Sequence, residues 1–163
     1  MSAFSAEADL LTRYALLPME SAHLDEVMRI EELSYSHPWK RRAFEYEIGN
    51  NPMSWPRVLV AKDGPLVAAY CVVWFLFEHL QIQNVAVHPD HRRQGLGRFL
   101  VLRALEEGLL RGAQAAFLEV RRSNAVAQSL YRALGFQESG VRRDYYSLPR
   151  EDALVFKREL SRE

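Results

Sequence analysis

The sequence predicts one α/β domain, and three observations support this prediction. Segments with the period of a strand alternate along the chain with segments that have the period of a helix. No repeat, low-complexity tract or long linker divides them. The chain has 163 residues, of which 48% are hydrophobic, which is the size of one domain with a sizeable core. We therefore treat residues 1–163 as a single domain.

The charge balance argues against two broad classes of partner. The 21 Lys and Arg residues equal the 21 Asp and Glu residues, so the formal net charge is zero. A neutral chain has no general attraction for nucleic acid or for an anionic membrane, and we expect neither as a partner. The apolar run at 66–75 is also shorter than a membrane span, which needs roughly 20 residues.

Two features indicate a cytoplasmic protein. The N-terminal segment carries Glu7 and Asp9 and lacks the basic and then apolar order of a secretion signal. The single cysteine, Cys71, permits no intrachain disulfide, which suits a reducing compartment. No basic side chain adjoins Cys71 in its apolar run, so we predict an inert core thiol rather than a nucleophile.

Hydrophobic periodicity assigns the elements of the N-terminal half. The predicted elements are a strand from Arg13 to Leu17, a helix capped by Ser21, a short helix after Pro38-Trp39, and strands at 58–60 and 66–75 that pair around a hairpin turn at 62–65. The inward faces of the two helices are predicted to carry Leu24, Val27, Met28 and Leu33, and Phe44 and Ile48.

The C-terminal half alternates in the same way, with glycines at the ends of its helices. The predicted elements are a strand at 80–87, a helix from near Gly95 to Gly112, a strand at 115–120, a helix at 124–134 closed by Gly135, and strands at 136–142 and 152–159 around a loop at 147–149. The inward stripe of the helix at 124–134 is predicted to carry Val126, Leu130 and Leu134.

A glycine-rich and arginine-rich segment lies between the predicted strand at 80–87 and the helix that follows it. The first amides of a helix have no intrahelical acceptor, and the helix dipole places positive charge at the same end. Glycines there leave room for a phosphate group, and arginines add charge that favours a diphosphate. The same pattern is also compatible with a capped surface helix and solvated arginines. The residues concerned are Arg92, Arg93, Gln94, Gly95, Leu96, Gly97 and Arg98.

The motif Arg92-x-x-Gly95-x-Gly97 resembles the acetyl-CoA signature of the GNAT superfamily of N-acetyltransferases. Further segments, in the same order, resemble the RimI branch of that superfamily, the ribosomal-protein alanine N-acetyltransferases. These segments lie at 84–90, 118–124, 130–136, 142–146 and 150–153. The resemblance is dense over about half of the chain and loose in the N-terminal part.

The resemblance implies the GNAT fold, a mixed central sheet flanked by helices in which two parallel strands splay apart. Acetyl-CoA, the implied co-substrate, would place its pantetheine arm along the strand that ends at Val87. Backbone groups of Val85, Ala86 and Val87 would pair with that arm, and an amide near Val87 would polarise the thioester carbonyl. Its diphosphate would bind the segment from Arg92 to Arg98. We expect no metal cofactor.

Glu119 and Tyr131 are the candidate catalytic residues. Glu119 lies in an otherwise apolar strand, where a charged group is costly without a partner or a purpose, and we take it as the general base, acting directly or through a water. Its structural alternative is an outward side chain that pairs with Arg121 or Arg122. The resemblance makes Tyr131 the general acid and a cofactor contact, although its ring also suits the core.

The remaining candidates concern the cap of a helix and the acceptor. Asn124 would cap its helix and, by analogy with the family, bond the cofactor. Tyr145 and Tyr146 lie in a segment that resembles the one flanking the acceptor in the family. Trp39 would line the opposite side of the acceptor site. All three aromatics also suit ordinary packing. The segments at 40–42 and 55–56 depart from the RimI pattern, which leaves the exact acceptor open.

The implied reaction is transfer of an acetyl group to the N-terminal amine of a protein, with the N-terminal alanine of a small-subunit ribosomal protein as the expected partner. Two other functions stay open, namely acetylation of a small amine or a lysine, and a non-catalytic acyl-CoA-binding module. A metal site at His88 and His91 is disfavoured, because Pro89 disrupts helical alignment and no carboxylate or cysteine set accompanies them. The oligomeric state is open.

Overall fold

The computed structural model of the protein describes residues 3–64 and 66–161. Within them helices and strands alternate, which confirms the predicted α/β class. The helices are α1 (Ala3–Arg13), α2 (Leu24–Ser34), α3 (Arg41–Gly49), α4 (Leu96–Leu110) and α5 (Ala125–Ala133). The strands are β1 (Tyr14–Pro18), β2 (Ser54–Ala61), β3 (Val67–Leu76), β4 (His79–Val87), β5 (Ala115–Arg121), β6 (Gln137–Ser147) and β7 (Arg150–Glu159). None of the helices in the described part is long and apolar enough to cross a lipid bilayer.

The strands form one mixed sheet in the order β1-β2-β3-β4-β5-β7-β6. The pairs β1–β2, β5–β7 and β6–β7 are antiparallel, whereas β4 and β5 are parallel. The register of the parallel pair runs from His79 opposite Ala115 to Ile82 opposite Leu118. Both strands continue beyond this short ladder.

The chain divides into two compact units. The first contains the chain up to Val72 and residues 84–101, and the second contains residues 73–83 and the chain from Leu102 onwards. In the first unit, the largest fully buried side chains include Tyr70, Phe44 and Ile30. In the second they include Phe136, Phe156, Leu118 and Leu80. The assignment of the whole chain to a single domain stays a prediction.

The N-terminal elements differ in part from the predicted ones. A helix precedes β1, and Arg13 is its last residue rather than the first residue of a strand. Ser21 does not cap α2. It lies in a 3-10 turn in which Glu20 is the N-cap and donates its backbone N–H to Nδ1 of His23 at 3.0 Å. The N-cap of α2 itself is His23, which makes no side-chain cap bond to the helix.

The predicted inward faces of α2 and α3 are only partly right. Leu24, Val27 and Phe44 are fully buried, but Leu33 is exposed and Met28 and Ile48 are half-buried. Two carboxylates, Glu31 and Glu47, take buried positions on these faces instead. Hydrophobic periodicity missed them because it assigns charged residues to the solvent side.

Three strands are longer than predicted. β2 begins at Ser54, β6 runs to Ser147, and β7 begins at Arg150, whereas Phe136 precedes β6 rather than starting it. β6 is the last strand of the sheet, and nearly all its residues are exposed. An edge strand of this kind has no buried face, so it lacks the alternation that marks a strand in sequence. The predicted turn at 62–65 ends on Pro65, which lies outside the described residues.

Candidate active site

The glycine-rich segment leads directly into α4, as predicted. Arg93 has a φ of +63° and Gly95 a φ of +83°, so the backbone turns sharply just before the helix. The amide of Phe99 donates to the carbonyl of Gly95 at 2.9 Å, which is the first bond of the helix. The amides at 96–98 therefore have no intrahelical acceptor, and with the helix dipole they suit a phosphate group.

The three arginines of this segment are not equivalent. Nε of Arg92 donates to the carbonyl of Val87 at 3.1 Å, and its Nη2 lies 3.5 Å from Oγ of Ser34. Arg93 and Arg98 are exposed. Arg92 is exposed as well, and it ties the end of β4 to α2 through uncharged partners, so all three arginines leave positive charge at this segment.

The side chain of Gln94 is also committed to the protein. Its Oε1 accepts from the hydroxyl of Tyr14 at 2.9 Å and from Nη1 of Arg13 at 2.7 Å. The same hydroxyl lies 2.9 Å from Nδ1 of His91. Helix α1 and strand β1 thus hold the glycine-rich segment by its side chains. The Oε1 atom of Gln94 is therefore engaged within the protein.

One edge of β4 presents backbone groups at the predicted pantetheine position. The amide of His88 donates to Ala68 of β3 at 2.8 Å, so by alternation Val85 and Val87 face away from β3. The Val85 carbonyl accepts from the hydroxyl of Tyr35 at 2.6 Å, and the Val87 carbonyl accepts from Arg92. The N–H groups of Val85 and Val87 lie on the same edge, where an extended ligand can pair with them.

A buried carboxylate that the sequence analysis did not single out organises this part of the unit. Glu31 is 1% exposed and accepts from the backbone N–H of Trp39 at 3.0 Å and from Nδ2 of Asn84 at 2.9 Å. It also accepts from the hydroxyl of Tyr70. Burial, and then the Glu31 charge, raise the pKa of Tyr70, so this hydroxyl stays protonated and donates. Glu31 therefore links α2 to β3, to β4 and to the segment before α3.

Trp39 packs against the core of the first unit. Its ring lies 5.2 Å from that of Phe44, and its side chain is half-buried. We gave ordinary packing of this kind as the alternative to a role of Trp39 in binding the acceptor. That role stays a prediction. The following residue, Lys40, is the N-cap of α3 and makes no side-chain cap bond.

Glu119 lies at the centre of a polar cluster in the second unit. Its side chain is 14% exposed, and its Oε1 lies 3.0 Å from Nε of Arg142. The pKa of Tyr145 is raised, first by burial and then by a hydrogen bond of its hydroxyl to Glu119. The partners that we named for Glu119 are wrong. Arg121 pairs with Glu151 at 3.3 Å, and Arg122 pairs with Asp152 at 3.5 Å. Sequence adjacency had pointed to the wrong arginines.

The tyrosine pair belongs to the same cluster. The rings of Tyr145 and Tyr146 meet edge to face at 5.1 Å, and the guanidinium of Arg121 lies 4.0 Å from the centre of the Tyr146 ring. Burial, and then the charge of Glu119, raise the pKa of Tyr146 to about 12. Both hydroxyls are therefore donors at neutral pH. The second unit brings the predicted base and the predicted acceptor-binding tyrosines together.

Helix α5 positions Tyr131 and is capped as predicted. Oδ1 of Asn124 accepts from the amide of Ala127 at 3.1 Å. The Tyr131 side chain is buried, with its ring edge to face against Phe136 at 5.8 Å. The predicted inward stripe is wrong at Val126, which is 83% exposed, because the inward face of this helix is rotated towards Tyr131.

The other reactive side chains are engaged elsewhere. Nδ1 of His88 accepts from the amide of Asp90, and His91 contacts Tyr14. In the described part of the chain, no group of three or more His, Cys, Asp or Glu side chains is arranged to hold a metal. Cys71 is buried in β3, and burial raises the pKa of its thiol to about 12, which keeps it protonated and unreactive.

Comparisons with known proteins cover most of the chain. Residues 24–136 match the model of the acetyltransferase (GNAT) family. A relative in Bacillus subtilis (strain 168) is 38% identical over 144 residues, which are 88% of this chain and 94% of the relative. A relative in Escherichia coli (strain K12), named [ribosomal protein bS18]-alanine N-acetyltransferase, is 34% identical over 145 residues and is 95% covered.

A solved structure agrees with these relatives. The crystal structure of the ribosomal-protein-S18-alanine N-acetyltransferase from Escherichia coli superposes with a TM-score of 0.81 at 32% identity. The match covers 92% of this chain and 96% of that one. An Arabidopsis thaliana protein, NAA60, solved with acetyl-CoA, has a TM-score of 0.81 at 13% identity, and this likeness shows the fold alone.

Proposed function

The chain belongs to the acetyltransferase (GNAT) family, and from this premise we propose that it transfers an acetyl group from acetyl-CoA to the N-terminal alanine of ribosomal protein bS18 in the cytoplasm. The observation that carries the proposal is the 34% identity to the Escherichia coli enzyme of that name over nearly its whole length. The polar cluster around Glu119 supports it, because this reaction needs a proton acceptor beside an amine.

The first unit supplies the proposed binding groups for acetyl-CoA. The amides at 96–98, together with the backbone of Gln94 and Gly95, would hold the diphosphate, and Arg93 and Arg98 would add charge. The N–H groups of Val85 and Val87 would pair with the pantetheine arm as a neighbouring strand does. Asn124 of the second unit is retained as a proposed cofactor contact through the polar atoms that its cap bond leaves available.

The second unit supplies the proposed proton transfers. Acetyl-CoA provides the acetyl group as an activated thioester. Glu119 would accept a proton from the amine, directly or through a water, as the new C–N bond forms. Tyr131 would donate its phenolic proton to the thiolate that leaves when the C–S bond breaks. Tyr145 and Tyr146, next to Glu119, would bind the acceptor peptide, and Trp39 is retained as a proposed acceptor contact.

The chemistry of amines supports an N-terminal acceptor. An α-amino group has a pKa near 8 and a lysine side chain a pKa near 10.4, so at neutral pH the α-amine is unprotonated roughly a hundred times more often. One carboxylate is then enough to complete its deprotonation. A lysine acceptor would require an environment that lowers the pKa of its amine, such as burial or a nearby positive charge.

A peptide assay tests the proposed function. The purified protein is incubated with acetyl-CoA and two matched peptides, one with a free N-terminal alanine and one blocked at that end but carrying lysine. The acetylated position is read by mass spectrometric fragmentation. We expect one acetyl group on the alanine amine alone. Transfer to lysine, or no transfer by a protein that still binds acetyl-CoA, would contradict the proposal and favour a lysine or small-amine acceptor or a silent binding module.

A substitution at Gly95 tests the cofactor site. Gly95 has a φ of +83°, which a β-branched residue adopts only with strain, so Gly95→Val would displace the amides that follow it. We expect the affinity for acetyl-CoA, measured by calorimetry, to fall at least about tenfold, which corresponds to about 1.4 kcal/mol.

Gly49→Val is the matched control for this change. An added Cβ meets open space at both glycines, but only Gly95 has a positive φ. The control should therefore bind acetyl-CoA as the wild type does. Equal affinity of Gly95→Val and the wild type would show that the glycine-rich segment does not hold the diphosphate.

A further inference from the structure

The turn before α4, at residues 93–95, contains a residue in an unfavourable backbone conformation. Arg93 and Gly95, on either side of Gln94, have φ values of +63° and +83°. Glycine adopts this left-handed region freely, whereas the Cβ atom of arginine makes it unfavourable. Such a conformation persists only where surrounding contacts fix it. The contacts that fix this turn therefore also fix the backbone amides that are proposed to hold the diphosphate.

The side chain of Gln94 makes such contacts, with two residues at the junction of α1 and β1. Its Oε1 accepts from the hydroxyl of Tyr14 at 2.9 Å and from Nη1 of Arg13 at 2.7 Å. The same hydroxyl lies 2.9 Å from Nδ1 of His91, three residues before Gln94. A hydroxyl that donates to one group can accept from another, so Tyr14 contacts the segment at two places.

Tyr14 is itself held by the sheet. It is 5% exposed and is the first residue of β1, where it lies opposite Ala61 of β2. The end of α1 is tied to the same strand pair. Lys62 donates its backbone N–H to the carbonyl of Arg13 at 2.9 Å and its Nζ to the carbonyl of Leu11 at 2.7 Å. The hydroxyl of Tyr14 is therefore a fixed anchor rather than a mobile surface group.

We infer that Tyr14 and Arg13 are positioning residues for acetyl-CoA, which act by holding Gln94. This inference rests on the proposed acetyl-CoA site. With Gln94 held, the turn at 93–95 keeps the conformation that binds the diphosphate. Without this anchor the turn relaxes, and the ligand must restore the binding conformation at the expense of affinity. Both residues lie outside the range 24–136 that matches the family model.

Calorimetry of acetyl-CoA with three variants of the whole chain tests the inference. Tyr14→Phe removes one bond to Gln94 without a change of charge. Gln94→Met removes the acceptor of both bonds and keeps a side chain of similar length. The double variant combines these two changes, so it shows whether Tyr14 acts through Gln94.

We expect the Kd for acetyl-CoA to rise about fivefold in Tyr14→Phe and at least about tenfold in Gln94→Met, as loss of one and of two hydrogen bonds would. The larger effect of Gln94→Met includes the bond from Arg13. In the Gln94→Met background, adding Tyr14→Phe should change the Kd less than about 1.5-fold, because the group through which Tyr14 acts is already gone.

Tyr46→Phe is the matched control. Tyr46 is 51% exposed on α3, and loss of its hydroxyl should leave the Kd at the wild-type value. A merely structural role for Tyr14 has a different signature. It would lower the melting temperature of Tyr14→Phe and leave the Kd unaltered, because the Kd is measured on the folded protein.

Three results would overturn the inference alone. These are a wild-type Kd for Tyr14→Phe, an equal effect of Tyr14→Phe in the wild-type and Gln94→Met backgrounds, and an equal rise in Kd for Tyr46→Phe. In each case Gly95→Val would still lose affinity for acetyl-CoA. If Gly95→Val binds acetyl-CoA as the wild type does, the proposed site itself fails, and the inference fails with it. The variant at Gly95 therefore distinguishes the two failures.

Discussion

Glu119→Gln is expected to lower kcat at least about 100-fold while the affinity for acetyl-CoA stays unchanged. A general base contributes rate factors of roughly 100 to 10,000, and an amide cannot accept the proton of the amine at neutral pH. The change is nearly isosteric, so Arg142 and Tyr145 keep a hydrogen-bonding neighbour. Steady-state kinetics with an alanine-initiated peptide, together with calorimetry for acetyl-CoA, measure the two quantities.

Glu138→Gln is the control for this experiment. Glu138 is an exposed carboxylate of β6 whose pairing with Arg132 spans 3.6 Å, and its loss should leave kcat unaltered. A kcat for Glu119→Gln within about threefold of the wild type would refute the assignment of the base, because even the weakest general-base effects exceed that factor. Glu119 would then be a structural partner of Arg142.

A structural role for Glu119 has its own signature. In that case Glu119→Gln and Arg142→Gln should lower the melting temperature by similar amounts, since each removes one side of the same ion pair. The base assignment requires instead that kcat falls while the melting temperature stays close to that of the wild type. Arg142 is 58% exposed at its side chain, so its pairing with Glu119 is screened by solvent and contributes little to stability.

Glu31→Leu is expected to reduce the free energy of unfolding by about 3–5 kcal/mol, a large fraction of the total for a domain of this size. The carboxylate accepts three hydrogen bonds, from the backbone of Trp39, from Asn84 and from Tyr70, and all three donors are buried or half-buried. Leucine accepts none of them, so each donor loses its bond without regaining water. Urea denaturation measures the effect as a lower midpoint.

Two further variants make this result specific. Glu32→Leu changes the adjacent, exposed residue of α2 and should alter the free energy of unfolding by less than about 0.5 kcal/mol. Glu31→Gln keeps one oxygen acceptor and should fall between the wild type and Glu31→Leu. If Glu31→Leu were as stable as Glu32→Leu, the buried hydrogen bonds would not be what holds these segments together.

A local signal in the sequence could have found Glu31. It lies four residues after Val27 and seven after Leu24, so it occupies a position of the apolar stripe of α2. A carboxylate at such a position requires buried donors. Which donors they are could not be predicted, because Tyr70 and Asn84 lie on strands that are distant in the chain.

Elements with one buried face were predicted well, and elements without one were not. Strand β4 alternates between buried and half-buried residues along most of its length, and its bounds were predicted to within one residue. Strand β6 is exposed along nearly all its length, and the prediction ended this strand at Arg142. Helix α1 was not predicted, and in its last two turns only Leu10 is buried.

The sequence by itself determined the α/β class, the glycine-rich entry into α4 and the candidates Glu119 and Tyr131. These depend on local periodicity, on glycine conformation and on a resemblance carried by contiguous segments. Tertiary structure alone decided the partner of Glu119. The register sets Glu119 and Gly140 opposite the same residue of β7, and this brings Arg142 of β6 to the carboxylate. Side-chain partners of this kind follow from strand pairing between distant segments, which no local pattern encodes.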